Sequence, residues 1–162
     1  MIYDVAIIGA GVVGGLIASR LSKKNINICI LEKENDVSKG SSMANSGIVH
    51  AGFDAKPGTL KAKLNVEGSK MMEKVTQDLG VKYKNNGSLV IGFNKEDKQK
   101  IEELYNRGIE NNVLDLKIIT GEEARKIEPN LSEEVICALH AKTRSNSMPI
   151  RINNCSYWKC NG

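Results

Sequence analysis

The feature that most constrains this sequence is a set of three glycines near its start, Gly9, Gly11 and Gly14, at the spacing G-x-G-x-x-G. The mostly apolar run Tyr3–Ile8 precedes them, as expected of a strand buried in a parallel sheet. A helical pattern follows over Val12–Lys24, and a second apolar run ends at Leu31. This order predicts a βαβ unit in which residues 3–8 and 27–31 are adjacent parallel strands.

Each glycine in this pattern has a physical role. Gly9 lets the chain turn tightly off the strand, Gly11 lets a pyrophosphate approach the backbone, and Gly14 lets the helix pack close to the strand. The N-terminus of the helix presents N–H groups and a positive dipole end to phosphates. Glu32 lies 23 residues after Gly9, close to the spacing of about 20 residues for the acid that accepts from a ribose hydroxyl.

These features predict a dinucleotide-binding site. The alternative is a glycine-rich turn in an unrelated α/β protein, which would not explain Glu32. The residues predicted to contact the dinucleotide in this unit are Gly9, Ala10, Gly11, Val12, Val13, Gly14, Glu32 and Lys33. The helical pattern also predicts a buried face made of Val12, Val13, Leu16, Ile17 and Leu21.

The composition excludes several other classes of protein. Of the 23 Lys and Arg, 20 lie in residues 1–143 with all 19 Asp and Glu, which gives +1, so most of the net charge of +4 comes from residues 144–162. A nearly neutral body argues against a nucleic-acid partner. The apolar runs are too short to span a bilayer, and no secretory leader is predicted. The four cysteines do not suggest a disulfide framework, so we expect thiols in a cytoplasmic protein.

The stretch after the second strand is rich in Gly, Ser and Asn. Its pattern, GSSMANSGIVHAGFDAKPGTLKAKLN over residues 40–65, resembles the FAD-binding loop of the D-amino-acid-oxidase-like flavoproteins. Within that superfamily it is most similar to the branch containing anaerobic glycerol-3-phosphate dehydrogenase and 2-hydroxyglutarate oxidase. The resemblance extends from Met1 to about Thr143.

The resemblance implies FAD as cofactor and hydride transfer to flavin from a small hydroxy acid or a glycerol-3-phosphate-like substrate. It implies that His50 lies beside the flavin ring or the substrate, whereas His50 by itself reads as a hydrogen-bonded structural histidine. It leaves the electron acceptor, the catalytic base and peripheral membrane contact of a full-length enzyme open, and it implies no metal. The residues implied to wrap the pyrophosphate and approach the flavin are Ser41, Ser42, Asn45, Ser46 and Gly47.

The rest of the pattern predicts an α/β fold, with a Rossmann-like FAD-binding segment over 1–80 and the start of an α+β substrate domain over 81–143. We predict helices over 59–79, after Asn94 and after a capping box that begins at Thr120. On helical spacing we expect apolar faces made of Leu60, Leu64, Met71, Met72, Val75 and Leu79 in the first of these helices, and of Ile101, Leu104, Tyr105 and Ile109 in the second. Apolar runs at 88–93, 116–119 and 135–140 predict strands, the last containing a structural His140.

The character of the sequence changes at Arg144, where acidic residues and hydrophobic periodicity stop. One permitted set of codons for residues 144–162, read from its second base, encodes EAIVCPYELTIAVIGNAM, which resembles the family's continuation. We therefore predict that 144–162 is a frameshifted, non-native tail and that the chain is truncated and inactive. The alternatives are a short protein whose Cys155 and Cys160 bind metal, a non-catalytic remnant, and a minimal NAD-binding module.

Overall fold

A computed structural model describes residues 2–142 and 145–147 of the chain. These residues form two compact units. The N-terminal unit contains residues 2–48, 74–83 and 147, and the central unit contains residues 49–73, 84–142 and 145–146. The domain boundaries predicted at residues 80 and 143 stay predictions.

The described chain contains both helices and strands, as the α/β prediction required. In chain order the elements are β1 (Val5–Ile8), α1 (Val12–Leu21), β2 (Ile28–Leu31), β3 (Ile48–Val49), α2 (Leu60–Leu79), β4 (Tyr83–Lys84), β5 (Ser88–Gly92), α3 (Lys95–Glu110), β6 (Leu116–Thr120), α4 (Gly121–Ile127), β7 (Cys137–Ala141) and β8 (Ser145–Ser147).

The βαβ prediction for the N-terminal unit is confirmed. Strands β1 and β2 pair in parallel, with Val5 opposite Ile28 and Ile8 opposite Leu31. Helix α1 connects the two strands and ends three residues earlier than predicted, at Leu21. The turn from β1 into α1 therefore lies at the carboxyl end of both strands, which is where open α/β sheets place their ligands.

The prediction of which face of α1 is buried was wrong. The buried residues are Gly14, Gly15 and Ala18, whereas Val13 is 68% exposed and Ile17 is 46% exposed. The physical reason is that the helix packs against the turn through its smallest residues, because the backbones approach too closely there for larger side chains. Val13 and Ile17 are consequently left exposed, whereas Val12, Leu16 and Leu21 are half-buried.

The central unit is built on an antiparallel sheet in the order β5-β7-β6. Leu139, at the middle of β7, lies opposite Val90 of β5 and Ile118 of β6. Helix α3 covers this sheet through Ile101, which is 2% exposed. The core cluster also contains Ala51, Phe53, Val66, Val113, Leu116, Cys137, Leu139 and Ala141.

Two helix starts in the central unit confirm the predicted caps. The side chain of Asn94 accepts from the backbone N–H of Asp97 at the start of α3. Thr120 and Glu123 form a reciprocal capping box at the start of α4. Their bonds satisfy N–H groups that have no partner within a helix.

Two predicted apolar faces are confirmed in part, because Leu79 of α2 and Ile101 of α3 are buried, and need correction at other positions. Leu60, Leu64 and Met71 of α2 are exposed, because Ala62 and Val66, one turn apart, are the residues that face inward. Ile109 of α3 is exposed in the same way, because α3 approaches β6 through its buried Gly108, where a Cβ would overlap the Leu116 side chain.

A smaller sheet has the order β3-β8-β4. The short strand β8 belongs to the stretch predicted to be a frameshifted tail, and residues 148–162, including Cys155 and Cys160, lie outside the described residues. Within the described residues no helix is long and apolar enough to cross a bilayer. The same residues contain no group of three or more His, Cys, Asp or Glu side chains arranged to hold a metal ion.

Candidate cofactor site

The site begins at the turn between β1 and α1. Gly9 has φ of +99°, in the region that L side chains rarely adopt, and its N–H donates to the carbonyl oxygen of Leu31 at 2.8 Å. A Cβ on Gly14 would overlap the carbonyl oxygen of Gly9. The two glycines therefore bring the N-terminus of α1 directly against the end of β1.

The N-terminus of α1 receives its cap from a distant part of the sequence. Gly11 is the N-cap residue and has no side chain to offer, and the hydroxyl of Ser42 accepts from the N–H of Val12 at 2.9 Å instead. A Cβ on Gly11 would lie 3.1 Å from the same Ser42 Oγ. Gly11, Val12 and Ser42 thus meet at one point, in front of N–H groups that have no partner within the helix.

Glu32, the residue directly after β2, faces this point. Its Oε2 accepts from the N–H of Ala10 at 2.6 Å. Its Oε1 accepts from the N–H groups of Lys33 at 2.8 Å and Glu34 at 3.1 Å. The Ala10 N–H, then those of Glu34 and Lys33, hold the pKa of the Glu32 carboxyl below its ordinary value, against a smaller opposing effect of desolvation.

An ionised carboxylate is an acceptor only and has about four lone-pair sites. Three bonds from backbone N–H groups are described for Glu32. The carboxylate is therefore fixed in orientation and keeps capacity to accept from a hydroxyl group of a ligand. Its lowered pKa keeps it ionised, and thus an acceptor, at neutral pH.

These groups line a cleft of about 520 Å³ within the N-terminal unit. The cleft brings together six residues predicted from the sequence, namely Gly9, Gly11, Glu32, Lys33, Ser41 and Ser42. Its other lining residues are Ile8, Leu31, Glu34, Ser38, Lys39 and Gly40. The backbone N–H groups of Ala10 and Val12 donate to Glu32 and Ser42, which line the cleft. Gly14 lets α1 pack against the turn at Gly9.

Other predicted residues lie outside the lining of this cleft. Asn45 holds the loop together, because its Nδ2 donates to the carbonyl oxygens of Ser41 and Ser42, at 3.0 and 2.8 Å, and its Oδ1 accepts from the N–H of Gly47. Ser46 is exposed nearby. Val13 is exposed on α1, where it lines a separate apolar surface with Leu16 and Ile17.

Sequence reasoning missed one residue that helps to form the cleft. Ser38 is 3% exposed, has φ of +65°, and donates its backbone N–H to the carbonyl oxygen of Ala10 at 3.0 Å. This bond ties the loop after β2 to the glycine turn. The sequence signal was weak, because an isolated serine in a polar loop resembles any other turn residue.

His50 lies in the central unit and forms part of a different arrangement. Its Nδ1 is 3.2 Å from Oδ2 of Asp54, and both side chains are about half exposed. His140 lies in β7 as predicted. Burial, and to a lesser extent Lys142 and Lys117, lower the pKa of His140, so its neutral form is favoured.

The cleft has the chemical features that an anionic nucleotide requires. It combines a helix N-terminus, a glycine without a side chain and a fixed carboxylate within one unit. A diphosphate is stabilised by N–H donors and a positive dipole end, whereas a ribose hydroxyl is recognised by a carboxylate.

Comparison with known proteins gives a family match over most of the chain. The family model described as FAD dependent oxidoreductase (DAO) matches residues 4–149. The chain is 48% identical over 141 residues to a glycerol 3-phosphate dehydrogenase of Caloramator mitchellensis. It is 44% identical over 131 residues to a mitochondrial L-2-hydroxyglutarate dehydrogenase of Dictyostelium discoideum.

Solved structures agree with the fold. The L-α-glycerophosphate oxidase of Mycoplasma pneumoniae, solved with FAD bound, superposes with a TM-score of 0.91 at 30% identity, covering 98% of this chain and 42% of that one. A glycine oxidase of Geobacillus kaustophilus, at 21% identity and a TM-score of 0.87, shares the fold. The matches to the glycerol 3-phosphate dehydrogenase and the L-2-hydroxyglutarate dehydrogenase span 87% and 79% of this chain, respectively. They span only 29% of the length of each relative.

Proposed function

The chain belongs to the FAD-dependent oxidoreductase family, and on that premise we propose that its cleft at the end of β1 binds the ADP half of FAD. The observation that carries this proposal is the convergence of Gly11, the α1 N-terminus and Glu32 on one cleft of about 520 Å³. The family match confirms the family and the FAD dependence predicted from the sequence, whereas the roles of individual residues are proposals.

The residues present fit an ADP group. The pyrophosphate is proposed to lie against the backbone of Gly11 and the first N–H groups of α1, where a Cβ would already crowd Ser42 Oγ at 3.1 Å. Glu32 accepts from a ribose hydroxyl with the lone-pair capacity that its backbone bonds leave. Ser42 Oγ accepts from the Val12 N–H, and the same hydroxyl can donate its proton to a phosphate oxygen.

The remaining loop residues have a supporting role in this proposal. Asn45 ties its own loop to the carbonyl groups of Ser41 and Ser42, which orders the segment that carries both hydroxyls. Lys33 pairs with Glu34 at 3.5 Å in an exposed position, where it contributes positive charge to the rim. Ser46 and Gly47 are proposed to follow the cofactor toward its flavin.

The chemistry of the whole protein is proposed from its relatives. When bound, FAD accepts a hydride from a carbon that bears a hydroxyl or amine group. The dehydrogenases and the oxidase found by comparison are named for glycerol 3-phosphate and L-2-hydroxyglutarate. We therefore propose a small phosphorylated alcohol or 2-hydroxy acid as the substrate class of the longer protein, without assigning its electron acceptor.

A second proposal concerns the 162-residue chain by itself. Large apolar side chains are exposed at the cleft of the N-terminal unit. Ile8 is 88% exposed and Leu31 is 57% exposed. Exposed apolar groups of this kind mark surface that another segment or protein covers, and ordering a loosely held site on binding subtracts from affinity. We propose that this chain alone binds FAD weakly and turns over no substrate, and that the codons after residue 143 are read in a shifted frame.

The cofactor proposal is tested by equilibrium dialysis of the 162-residue chain against FAD, ADP and NAD. We expect weak binding of FAD and ADP, loss of both in Gly11→Val, and weaker binding in Glu32→Gln. Binding of FAD should also fall as the pH falls through the lowered pKa of Glu32, because the protonated carboxyl loses acceptor capacity. Binding of NAD in preference to FAD would support the minimal NAD-binding module instead.

The reading-frame and substrate proposals share one experiment. The genomic locus is sequenced beyond codon 143, and a gene with the second frame restored is expressed and assayed with glycerol 3-phosphate and L-2-hydroxyglutarate. We expect a yellow protein that reduces its flavin with one of these two compounds. A verified single frame that ends at residue 162 would remove the frameshift proposal.

A further inference from the structure

The chain from Glu32 to Ser42, which we call the cleft segment, contacts the β1–α1 turn at its start, middle and end. Glu32 accepts from the Ala10 N–H at 2.6 Å through Oε2. Ser38 donates its backbone N–H to the carbonyl oxygen of Ala10 at 3.0 Å. Ser42 accepts from the Val12 N–H at 2.9 Å through Oγ. The cleft segment therefore lies across the glycine turn and forms one wall of the cleft.

The middle contact is made by a residue with an uncommon backbone conformation. Ser38 has φ of +65°, in the region that residues with a Cβ rarely adopt, and it is buried. A residue stays in such a conformation only where the surrounding structure holds it there, and such residues recur at ligand clamps. The contacts on both sides of Ser38 are the part of the structure that can hold it.

The backbone of Ala10 connects the two sides of the cleft segment. Its N–H is bonded by the Glu32 carboxylate, and its carbonyl oxygen is bonded by the Ser38 N–H. A change of φ at Ser38 would redirect the chain on either side of this bond. Glu32 and Ser42 could then no longer reach the same turn together, because each reaches it from a different side of Ser38.

We propose that Ser38 is a positioning residue of the cofactor site, because its backbone conformation holds Glu32 and Ser42 against the glycine turn before a nucleotide binds. Groups that are already in place need not be ordered on binding, so less is subtracted from affinity. This order concerns the polar groups, whereas Ile8 and Leu31 at the same cleft are exposed. Only the part of the proposal that concerns ADP rests on the proposed function.

Two substitutions separate the backbone conformation of Ser38 from any contact of its hydroxyl. Ser38→Gly and Ser38→Ala both remove the hydroxyl and differ only in the Cβ. Glycine adopts a positive φ without steric cost, whereas alanine does not. The cleft segment should therefore stay on the turn more of the time in Ser38→Gly than in Ser38→Ala.

The first test is amide hydrogen exchange of the ligand-free 162-residue chain, measured by NMR. The amides of Ala10 and Val12 should exchange about five- to thirty-fold faster in Ser38→Ala than in Ser38→Gly, the ratio expected for one residue with a Cβ in the left-handed region. Equal exchange of these two amides in the two variants would overturn the proposal.

Asn112 provides the matched control in the central unit. It has φ of +60°, and its N–H donates to the carbonyl oxygen of Ile109 at 3.0 Å, so its backbone resembles that of Ser38. Asn112→Gly and Asn112→Ala should differ in thermal midpoint but not in the exchange of the Ala10 and Val12 amides. If those amides respond as strongly to the Asn112 pair, their protection reports general stability, and Ser38 has no positioning role.

The second test is an NMR titration with ADP. Ser38→Pro fixes φ near about −65° and removes the N–H, so it should bind ADP on the order of ten-fold more weakly than Ser38→Gly. Protected amides in β7 would show that Ser38→Pro is folded. Equal ADP affinity of these two folded variants would overturn the positioning role. Failure of the unmodified chain to bind ADP would instead contradict the proposed function, and the exchange rates would still decide whether Ser38 holds the ligand-free cleft.

Discussion

At the scale of single residues, the glycines of the β1–α1 turn carry the most specific information. The turn at Gly9 and the close packing at Gly14 were predictable from the sequence, because each requires a residue without a side chain. The contact of Gly11 with a pyrophosphate stays a prediction. Ser38 was not predictable, because its contribution is a backbone N–H that any residue could donate.

Gly14 offers a stability test at this scale. Glycine in a helix interior is less favourable than alanine by about 1 kcal/mol, so an alanine should help unless it collides with a neighbour. At Gly14 a Cβ would overlap the carbonyl oxygen of Gly9, and overpacking typically costs about 1–3 kcal/mol. We expect Gly14→Ala to lower the thermal midpoint and to speed hydrogen exchange in β1 and α1.

Gly68 is the matched control, since it lies within α2 and a Cβ there meets nothing within 4 Å. Gly68→Ala should raise the free energy of unfolding by about 0.5–1 kcal/mol. If both alanines are stabilising, the close approach of α1 to the glycine turn is not a feature of the folded protein.

At the scale of elements, the type and order of the helices and strands were predictable from the sequence. Which face of each helix is buried was less predictable. The caps of α3 and α4 were found because Asn94 and Thr120 act locally, within one helical turn. The predicted buried faces of α1, α2 and α3 were wrong at exposed positions such as Val13, Leu60 and Ile109, because size and hydrophobicity were taken as signs of burial. At each of these contacts the closest approach is made by a small residue, for example Gly14, Ala62 or Gly108.

The exposed face of α1 should influence how the chain associates. A shallow depression of about 370 Å³ is lined by Val13, Leu16, Ile17, Arg20 and Leu21. Exposed apolar patches of this kind promote association in water. We expect Val13→Lys combined with Ile17→Lys to reduce self-association, measured by sedimentation velocity across a range of concentrations.

The matching control is Lys61→Glu with Lys63→Glu, which changes two exposed lysines of α2 and leaves the α1 surface intact. The lysine substitutions on α1 should not lower the thermal midpoint, since both replaced side chains are exposed. Equal association of all three proteins would show that the α1 surface is not responsible.

At the scale of the whole molecule, the division into two units did not follow the linear sequence. Helix α2 contributes residues 60–73 to the central unit and 74–79 to the N-terminal unit. The helical pattern of α2 continues without interruption through residues 73 and 74, so no local sequence pattern could locate the boundary between the two units. The family resemblance, in contrast, was readable, because it rests on a long contiguous motif over residues 40–65.

Binding of the ADP half of FAD in the cleft at the end of β1 is tested by mapping FAD onto the chain with backbone amide NMR. We expect concentration-dependent shifts confined to residues 9–14, 32–34 and 38–42, and their loss in Gly11→Val but not in Gly68→Ala. Shifts centred instead on the groove between α2 and α3, lined by Gly58, Lys63 and Asn111, or shifts that persist in Gly11→Val, would contradict it.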